Sequence, residues 1–520
     1  MYREIQIRLL PSEAIHEEAV VAALAKQLGV NRARIKHTEI LKRSVDARHR
    51  PVVLNLSVGV HLDDIEKKEP AFLPAYQDVS DKEPIIIVGA GPAGLFAALR
   101  LIEKGLRPII LERGKSIAER KKDLQNLYSS RIVNEDSNFG FGEGGAGTFS
   151  DGKLYTRSNK RGNIQRILEI LVFHGASEDI LTDAHPHIGT DKLPFVIQRI
   201  RETIEKYGGN VLFNTRVTDF LIANNQMQGV VAGGKEYRSR AVILATGHSA
   251  RDIYRILYNK GIDLEPKDFA VGLRLEHQQA DIDCMQYHTQ SGRGEYLPAA
   301  EYNFVTNVDG RGVYTFCMCP GGVVVPAATG KEQQVLNGMS SSARNTQWSN
   351  AAIVTTVGQA ELYHYNRLKT GQTPPLLGGI LFQEELERRA WQEGGGNLVA
   401  PAQTLTDFLA GRFSQKLPFS SYKLGLNSSE MDKWLPNFVS KRIQRGIFSF
   451  GAKAKQFMTE TALLLGVETR TSSPLRIPRV ADTKEHIKIQ GLFPCGEGAG
   501  YSGGIISSAM DGEGCAEVFF

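Results

Sequence analysis

The sequence is poor in cysteine. Its 520 residues include five cysteines, an odd number, and none of them forms the C-x2-C pair typical of structural zinc sites. We therefore expect neither a disulfide framework nor a bound metal. A large chain with so few cysteines is typical of a reducing compartment, so a cytoplasmic location is predicted. The five positions are Cys284, Cys317, Cys319, Cys495 and Cys515.

Long apolar runs are also missing. No run reaches the roughly eighteen residues that a membrane-spanning helix needs. Charged residues interrupt positions 1–13, where a secretory signal would be apolar. Hydrophobic residues make up 42% of the chain and charged residues 23%, as in ordinary globular proteins. We expect no membrane partner.

Positive charge is concentrated near the N-terminus. Residues 31–50 contain seven Lys or Arg against two acids, and this surplus equals the formal net charge of +5. Such a stretch is either a solvated face or a nucleic-acid patch. Because no aromatic residues are patterned with the basic ones, we favour the solvated face and expect no nucleic-acid partner.

The length and the residue pattern predict an α/β protein of several domains. A strand at 2–10, a helix capped by Ser12 and strands at 35–44 and 51–60 predict a small ferredoxin-like βαββ domain. Strands dominate 269–326, and helices dominate 331–462. The predicted units are a small α+β domain at 1–70, a linker at 71–84, the first part of a dinucleotide-binding domain at 85–268, an inserted α+β cap or substrate domain at 269–472, and the second part of the dinucleotide-binding domain at 473–520.

A glycine-rich turn lies between the first predicted strand and helix of the dinucleotide-binding domain. Gly89, Gly91 and Gly94 form a G-x-G-x-x-G motif. Gly89 permits the tight turn, Gly91 lets the backbone approach a pyrophosphate, and Gly94 allows close helix–strand packing. Glu112 ends the second strand, at the spacing expected for an acid that binds ribose hydroxyls. Together these residues predict a dinucleotide site.

The C-terminal segment indicates which dinucleotide. A strand at 487–494 precedes Gly496 and Glu497, and a final helix opens near Gly504. This segment resembles the second FAD signature of glutathione-reductase-like flavoproteins. The resemblance implies that Glu497 binds a ribitol hydroxyl, and that the helix directs its positive end toward the flavin.

Two further segments resemble the same flavoproteins. Residues 241–247 (AVILATG) resemble the strand and turn near the pyrophosphate, and residues 214–220 resemble the strand beside the adenine, with contact expected at Val217. No second G-x-G-x-x-G and no C-x-x-C after the first are present, which disfavours the disulfide-reductase branch. We predict a Rossmann-like FAD-binding domain of the glutathione-reductase type, interrupted by the cap.

Further stretches resemble bacterial FAD-dependent dehydrogenase-like proteins, a family of largely unassigned reactions. They are residues 138–154, 186–193, 247–252, 399–403 and 468–476. The resemblance implies a fold and FAD but no substrate. The residues predicted to bind FAD are Gly89, Gly91, Pro92, Ala93, Gly94, Glu112, Arg113, Gly145, Thr148, Ser150, Lys153, Val217, Thr246, Gly247, Gly496, Glu497, Gly503, Gly504 and Ile505.

Histidine and lysine supply candidates for the chemistry. Lys153 is the candidate for a charge near the flavin, or else a surface lysine. His187 either exchanges a proton with substrate or bonds to loop backbone, and nearby Thr190 is predicted to cap the helix that contains Pro194. His248 is expected near the cofactor, although a helix cap at Ser249 would explain this segment without catalysis.

Two more groups offer alternatives. Arg470 and Arg476, with Glu468, are predicted to cluster; they bind an anionic substrate or brace two domains by ion pairs. Cys317 and Cys319 lie two apart on a predicted strand and are expected to face the same way. They are either a redox pair or small packing residues. Cys495 is expected to pack.

The sequence thus predicts an FAD-dependent oxidoreductase acting on a small organic substrate, with NAD(P)H as the candidate external donor. One alternative is a flavin-dependent RNA-modifying protein anchored by the basic N-terminal domain. The other is a non-catalytic FAD-binding scaffold or redox sensor. The substrate, the electron acceptor, the catalytic acid or base and the oligomeric state are not determined by the sequence.

Overall fold

The N-terminal unit is a three-stranded antiparallel sheet covered by helices. The computed structural model describes residues 1–63, 72–156, 162–370 and 376–519. The elements are β1 (Tyr2–Leu9), α1 (Pro11–Ala14), α2 (Glu17–Leu28), β2 (Ile35–Asp46) and β3 (Val53–Leu62), and the strand order is β1-β3-β2. The predicted β-α-β-β order is confirmed. Ser12 does not cap the helix as predicted: it lies inside α1, which begins one residue earlier because Pro11 suits a first helical turn.

A five-stranded parallel sheet forms the second unit. Its chain-continuous part contains β4 (Pro84–Val88), α3 (Pro92–Glu103), β5 (Arg107–Leu111), α4 (Ile117–Ser130), α5 (Ile164–Phe173), α6 (Asp179–Thr182), α7 (Leu193–Lys206), β6 (Asn210–Leu212), β7 (Val217–Ala223), β8 (Gln226–Ala232), β9 (Lys235–Arg238), β10 (Val242–Leu244) and α8 (Arg251–Asn259). Strands β4, β5 and β10 are almost wholly buried, as expected for strands covered on both faces. A separate sheet, β7-β8-β9, lies within this region.

The cap is built on a seven-stranded sheet. It contains β11 (Glu265–Pro266), β12 (Phe269–Gln278), α9 (Gln279–Tyr287), β13 (Val305–Val308), β14 (Arg311–Cys319), β15 (Val323–Pro326), β16 (Leu336–Met339), β17 (Trp348–Val357), α10 (Gln359–Thr370), α11 (Gly378–Glu393), β18 (Ala400–Thr404), α12 (Leu405–Ala410), β19 (Leu426–Ser428), α13 (Met431–Trp434), α14 (Asn437–Lys453) and β20 (Leu463–Glu468). The sheet order is β13-β14-β17-β12-β20-β18-β19. The prediction of mostly helical structure over 331–462 is wrong for β17, an apolar run that pairs with strands on both sides.

The chain then returns to the parallel sheet. The last elements are β21 (Leu475–Arg476), β22 (Leu492–Pro494) and α15 (Ile505–Glu517). Strand β22 joins the sheet beside β10, giving the order β22-β10-β4-β5-β6, and β21 pairs with β11. The predicted fold class, a Rossmann-like unit interrupted by an α+β cap, is confirmed.

The predicted linker packs against the parallel-sheet unit. Residue 71, like 64–70 at the end of the predicted first domain, lies outside the described residues. From residue 72 onward the segment is held in place: Val79 is fully buried, and its N–H donates to the carbonyl of Tyr207 at 2.9 Å. The Gln77 amide also donates to the Glu103 carbonyl at 2.7 Å. The domain boundaries themselves remain a proposal.

Candidate active site

Two of the three motif glycines are required by close packing, and the third faces open space. A Cβ on Gly89, whose φ is +106°, would lie 2.5 Å from the carbonyl oxygen of Ala245. A Cβ on Gly94 would lie 2.0 Å from the carbonyl oxygen of Gly89. Gly91 has no atom within 4 Å of its Cβ position. The turn therefore leaves an open cradle at the N-terminus of α3, where helix N–H groups favour an anion.

The carboxylate of Glu112 holds the turn together. It is buried and accepts hydrogen bonds from the N–H groups of Ala90 at 2.8 Å, Gly114 at 2.8 Å and Gly142 at 3.0 Å. A carboxylate has about four acceptor positions, so one remains. Contact with a ribose remains a prediction for this residue.

The glycine-rich loop at 138–147 is folded around a buried arginine. The side chain of Arg120, from α4, is fully buried and donates to the carbonyls of Asn138, Phe139 and Glu143 at 2.8–3.0 Å. Burial lowers the pKa of this guanidinium to about 10, which still leaves it charged at neutral pH. The loop is therefore fixed by hydrogen bonds. Arg120 could not be identified from the sequence, because nothing in the order of residues links α4 to this loop.

The loop crosses the N-termini of two helices. A Cβ on Gly145 would lie 3.2 Å from the Cα of Gly91, and one on Gly147 would lie 3.2 Å from Cγ1 of Ile505. The loop thus joins the glycine turn of α3 to the start of α15. The residues predicted to bind FAD at 89–94, at 145–150 and at 503–505 meet here, although they are four hundred residues apart in the chain.

The C-terminal segment closes the cradle from the other side. A Cβ on Gly498 would lie 2.6 Å from the carbonyl oxygen of Gly247, so the Ala-Thr-Gly turn abuts this segment. Gly247 and Gly503 have no atom within 4 Å of their Cβ positions. His248 bridges the two parts: its Nδ1 is 3.1 Å from Oε2 of Glu497, and its Nε2 is 3.0 Å from the carbonyl of Arg470. The predicted cap at Ser249 is wrong, since α8 has Ala250 at its N-cap.

The predicted arginine cluster is divided between separate places. Arg470 is nearly buried and forms an ion pair with the fully buried Glu387 at 3.0 Å; Arg251 pairs with the same carboxylate at 2.7 Å. Glu468 pairs with the buried Arg274 at 3.2 Å. Arg476 lies elsewhere, with its guanidinium 5.5 Å from the ring centre of Tyr501. For Arg470 the structure favours the bracing alternative, because the same Glu387, in α11 of the cap, also pairs with Arg251 of α8.

Lys153 and His187 lie together where the loop meets the cap. Their backbones form an isolated antiparallel bridge. Lys153 Nζ is 3.5 Å from Oε2 of Glu301, and Oε1 of Glu301 is 2.5 Å from Nδ1 of His185. His187 Nε2 is 3.2 Å from the carbonyl of Ser342, which agrees with the backbone-bonding alternative. The predicted cap at Thr190 is wrong, since Lys192 is the N-cap of α7.

We call this group the loop–cap junction. Its members share their position between the glycine-rich loop and the cap: Asp151, Lys153, His185, His187, Glu301, Cys317 and Arg344. Burial is the main cause that lowers the pKa of His187, which favours the neutral form of this histidine. Burial alone would raise the pKa of Glu301, but His185, Lys153 and Arg344 together hold it at about 2.

The two cysteines of β14 do not face the same way. A bulge interrupts β14 between Phe316 and Cys319, and Cys317 has a φ of +45°. As a result Cys317 is exposed, whereas Cys319 is buried. The protein surrounding Cys317 raises the pKa of its thiol to about 12, mainly by desolvation. Cys495 is buried, as expected for packing.

Comparison with known proteins covers almost the whole chain. Residues 83–268 match the pyridine nucleotide-disulphide oxidoreductase family, residues 268–471 match the FAD-dependent protein, C-terminal domain-like family, and residues 1–61 match a domain of unknown function (DUF8436). An uncharacterized protein of Clostridium beijerinckii is 38% identical over 95% of this chain and 94% of its own length. The chain belongs to this family of FAD-dependent oxidoreductases.

Other similarities cover a smaller part of the chain or are structural matches of low score. A thiamine thiazole synthase of Aeropyrum pernix is 27% identical over 32% of this chain and 56% of its own. L-proline dehydrogenase from P. horikoshii is 13% identical with a TM-score of 0.33, covering 84% of this chain and 93% of its own. Glycine oxidase from Bacillus cereus is 11% identical with a TM-score of 0.30, covering 84% and 94%.

FAD is the cofactor of this oxidoreductase, and the cradle fits it. Open faces at Gly91, Gly247 and Gly503 leave room for a ligand between two helix N-termini, which favour its phosphates and its electron-rich edge. Other predicted contacts already have structural partners: Arg113 pairs with Asp136 and Asp252, and Thr148 Oγ1 donates to the Glu143 carbonyl. Val217 is buried at the start of β7.

A large groove lies at the opposite edge of the oxidoreductase. Its volume is about 820 Å³, and it is lined by residues that precede β4, β10 and β22, including Glu83, Arg240 and Gly491. Ligands of open parallel sheets bind at the carboxyl ends of the strands, and this groove is at the amino ends. It is not the candidate active site. In the part of the chain that the structure describes, no helix is long and apolar enough to cross a bilayer.

Proposed function

We propose that this protein oxidises a small organic substrate at the loop–cap junction by hydride or electron transfer to FAD. The observation that carries the proposal is the path of the glycine-rich loop. The loop covers both helix N-termini of the cradle, and a few residues later it brings Lys153 against Glu301 of the cap. Bound FAD supplies the two-electron acceptor; the chain supplies orientation, charge and exclusion of water.

An anionic group on the substrate is best accommodated by Lys153. Arg470 forms an ion pair with Glu387, and Arg476 lies beside Tyr501, so neither arginine supports the prediction that this pair binds an anionic substrate. Lys153 is part-exposed, and its ion pair with Glu301 is long at 3.5 Å, the one it forms among the residues that the structure describes. NAD(P)H is proposed as an alternative external donor that would reduce FAD in place of the organic substrate.

The basic N-terminal surface gives little support to the RNA-modifying alternative. Three of its arginines already have acidic partners: Arg34 with Asp63, Arg43 with Asp183 and Arg48 with Asp46, at 2.6–2.8 Å. In an RNA anchor, such arginines would instead bind the phosphate groups of the RNA.

The cradle is tested by filling it. Gly91 has an ordinary negative φ of −79° and open space at its Cβ, so Gly91→Leu should fold but bind FAD at least tenfold more weakly. The matched control is Gly514→Leu in α15, because Gly514 also has open space at its Cβ position. FAD affinity is read by fluorescence and folding by circular dichroism. Equal affinity in both variants would disprove the placement.

The oxidoreductase itself is tested by anaerobic mixing with NADH, NADPH and a panel of metabolites. We expect at least one donor to bleach the visible flavin band within minutes of mixing. Bound FAD that no donor reduces would favour the scaffold or sensor alternative. Purified protein that neither carries nor takes up FAD would contradict the proposal.

A further inference from the structure

His185 is held in place from two sides by main-chain bonds. On one side the N–H of Ala184 donates to the carbonyl of Arg43 at 2.9 Å, and Arg43 also pairs with Asp183. On the other side the N–H of Leu154 donates to the carbonyl of Pro186 at 2.9 Å. The N-terminal unit and the glycine-rich loop therefore fix this short segment between them.

The side chain of His185 is oriented as well. Its Nδ1 is bonded to the carboxylate of Glu301, and its ring lies 5.1 Å from that of Tyr155. No described residue bonds to Nε2, and the side chain is 63% exposed. A carboxylate on Nδ1 fixes the tautomer and leaves Nε2 as the proton-accepting atom, which is the arrangement required of a general base.

The described residues place two cations beside this pair. Lys153 and Arg344 each interact electrostatically with both His185 and Glu301. The hydrogen bond with Glu301 raises the pKa of His185 above its usual value, while the two cations act against that rise. Histidine is the side chain whose ordinary pKa is closest to neutral pH, which suits it to proton exchange.

We propose that His185, oriented by Glu301, is the residue that accepts the substrate proton during oxidation. This inference rests on the proposed function of the loop–cap junction. The substrate class is an alcohol or amine of the type H–C–X–H, where X is oxygen or nitrogen. The C–H hydrogen leaves with its electron pair for FAD, the X–H proton goes to Nε2 of His185, and the C=X double bond forms. FAD is the oxidant, so atoms and electrons balance.

The test needs no knowledge of the substrate. Holoprotein with ¹³C-labelled histidine rings is titrated by NMR before and after reduction of FAD by dithionite, and His185→Asn assigns the signal among the 12 histidines. Reduction adds negative charge at the flavin, so a histidine that serves the substrate should rise in pKa by roughly half a unit to one unit. Glu301→Gln should lower the pKa of His185 in both states.

His16, on the N-terminal unit, is the control histidine and should not respond to reduction. If His185 responds no more than His16, or if Glu301→Gln leaves its pKa unchanged, the inference is wrong. Those outcomes are read with FAD bound and reduced by dithionite. They therefore differ from failure of the proposed function, in which the protein holds no FAD or holds FAD that no organic donor reduces.

Discussion

Arg344 of the cap and Asp151 of the glycine-rich loop form a buried ion pair with two contacts. Nη2 of the guanidinium is 2.5 Å from Oδ2, and Nε is 3.1 Å from Oδ1. The side chains are 10% and 4% exposed, so water screens the pair little. This pair is a direct charged link between the cap and the segment that follows the loop over the cradle.

Breaking one side of that pair should cost more than removing both. Arg344→Met leaves a buried carboxylate without its partner, and about 3–5 kcal/mol of the free energy of unfolding should be lost. The double variant Arg344→Met with Asp151→Asn should recover part of that loss. Denaturant unfolding of all variants gives the coupling; additive losses would contradict the assignment of a buried pair.

Removing the arginine inside the glycine-rich loop should weaken FAD binding. Arg120→Met leaves the buried carbonyls of Asn138 and Phe139 without donors, each worth about 1–3 kcal/mol, and leaves the Glu143 carbonyl with only its bond from Thr148, so the loop should lose its fixed form. The dissociation constant for FAD, measured by fluorescence, should therefore rise at least tenfold. Lys121, the exposed neighbour on α4, supplies the control Lys121→Met; similar losses in both variants would count against the role given to Arg120.

Stability should depend on pH through Glu513. Burial raises the pKa of this carboxyl from 4.5 to about 7, and the ion pair with Arg166 at 3.1 Å offsets only part of that effect. Because the folded protein holds the proton more tightly than the unfolded chain, Glu513 costs stability as the pH rises from 4.5 to 7.

Glu513→Gln should therefore raise the free energy of unfolding above pH 7 by about 1–3 kcal/mol and change it little below pH 4.5. Guanidinium unfolding at several pH values provides the measurement. Glu517→Gln, on the same helix at an exposed ion pair, should have an effect under about 1 kcal/mol at every pH. If Glu513→Gln were less stable than the unchanged protein at pH 8, the predicted direction of the effect would be wrong.

Cys317 should react slowly although it is exposed. A thiol with a pKa of about 12 carries almost no thiolate at pH 8, and the thiolate is the nucleophile. Alkylation by iodoacetamide, followed by mass spectrometry, should proceed more slowly than for a free cysteine. Rapid modification, or loss of flavin reduction in a variant with serine at 317 and 319, would restore the redox-pair alternative.

The FAD-binding half could be predicted because its signals are local. The spacing from Gly89 to Glu112 and the turn at Gly496 each specify a strand, a turn and a helix, and the structure brings them together at one edge of the sheet. The fold class and cofactor were correct for this reason.

The loop–cap junction could not be predicted, because its members come from five separated segments. Nothing in the sequence near Glu301 indicates that its carboxylate meets His185, which lies 116 residues earlier. The three predicted helix caps were wrong because Ser12, Thr190 and Ser249 were assigned from residue type alone, whereas the helices have Leu10, Lys192 and Ala250 at their N-caps. The prediction that Cys317 and Cys319 face the same way was wrong because a bulge interrupts the alternation of side chains along the strand.

The two crossings between the dinucleotide unit and the cap lie side by side. The chain leaves through β11 and returns through β21, and these strands pair directly, Glu265 with Arg476 and Pro266 with Leu475. A segment whose ends adjoin can be exchanged as a cassette without disturbing its host. One FAD-binding unit could thus acquire different caps, and with them different substrates, by replacement at a single joint.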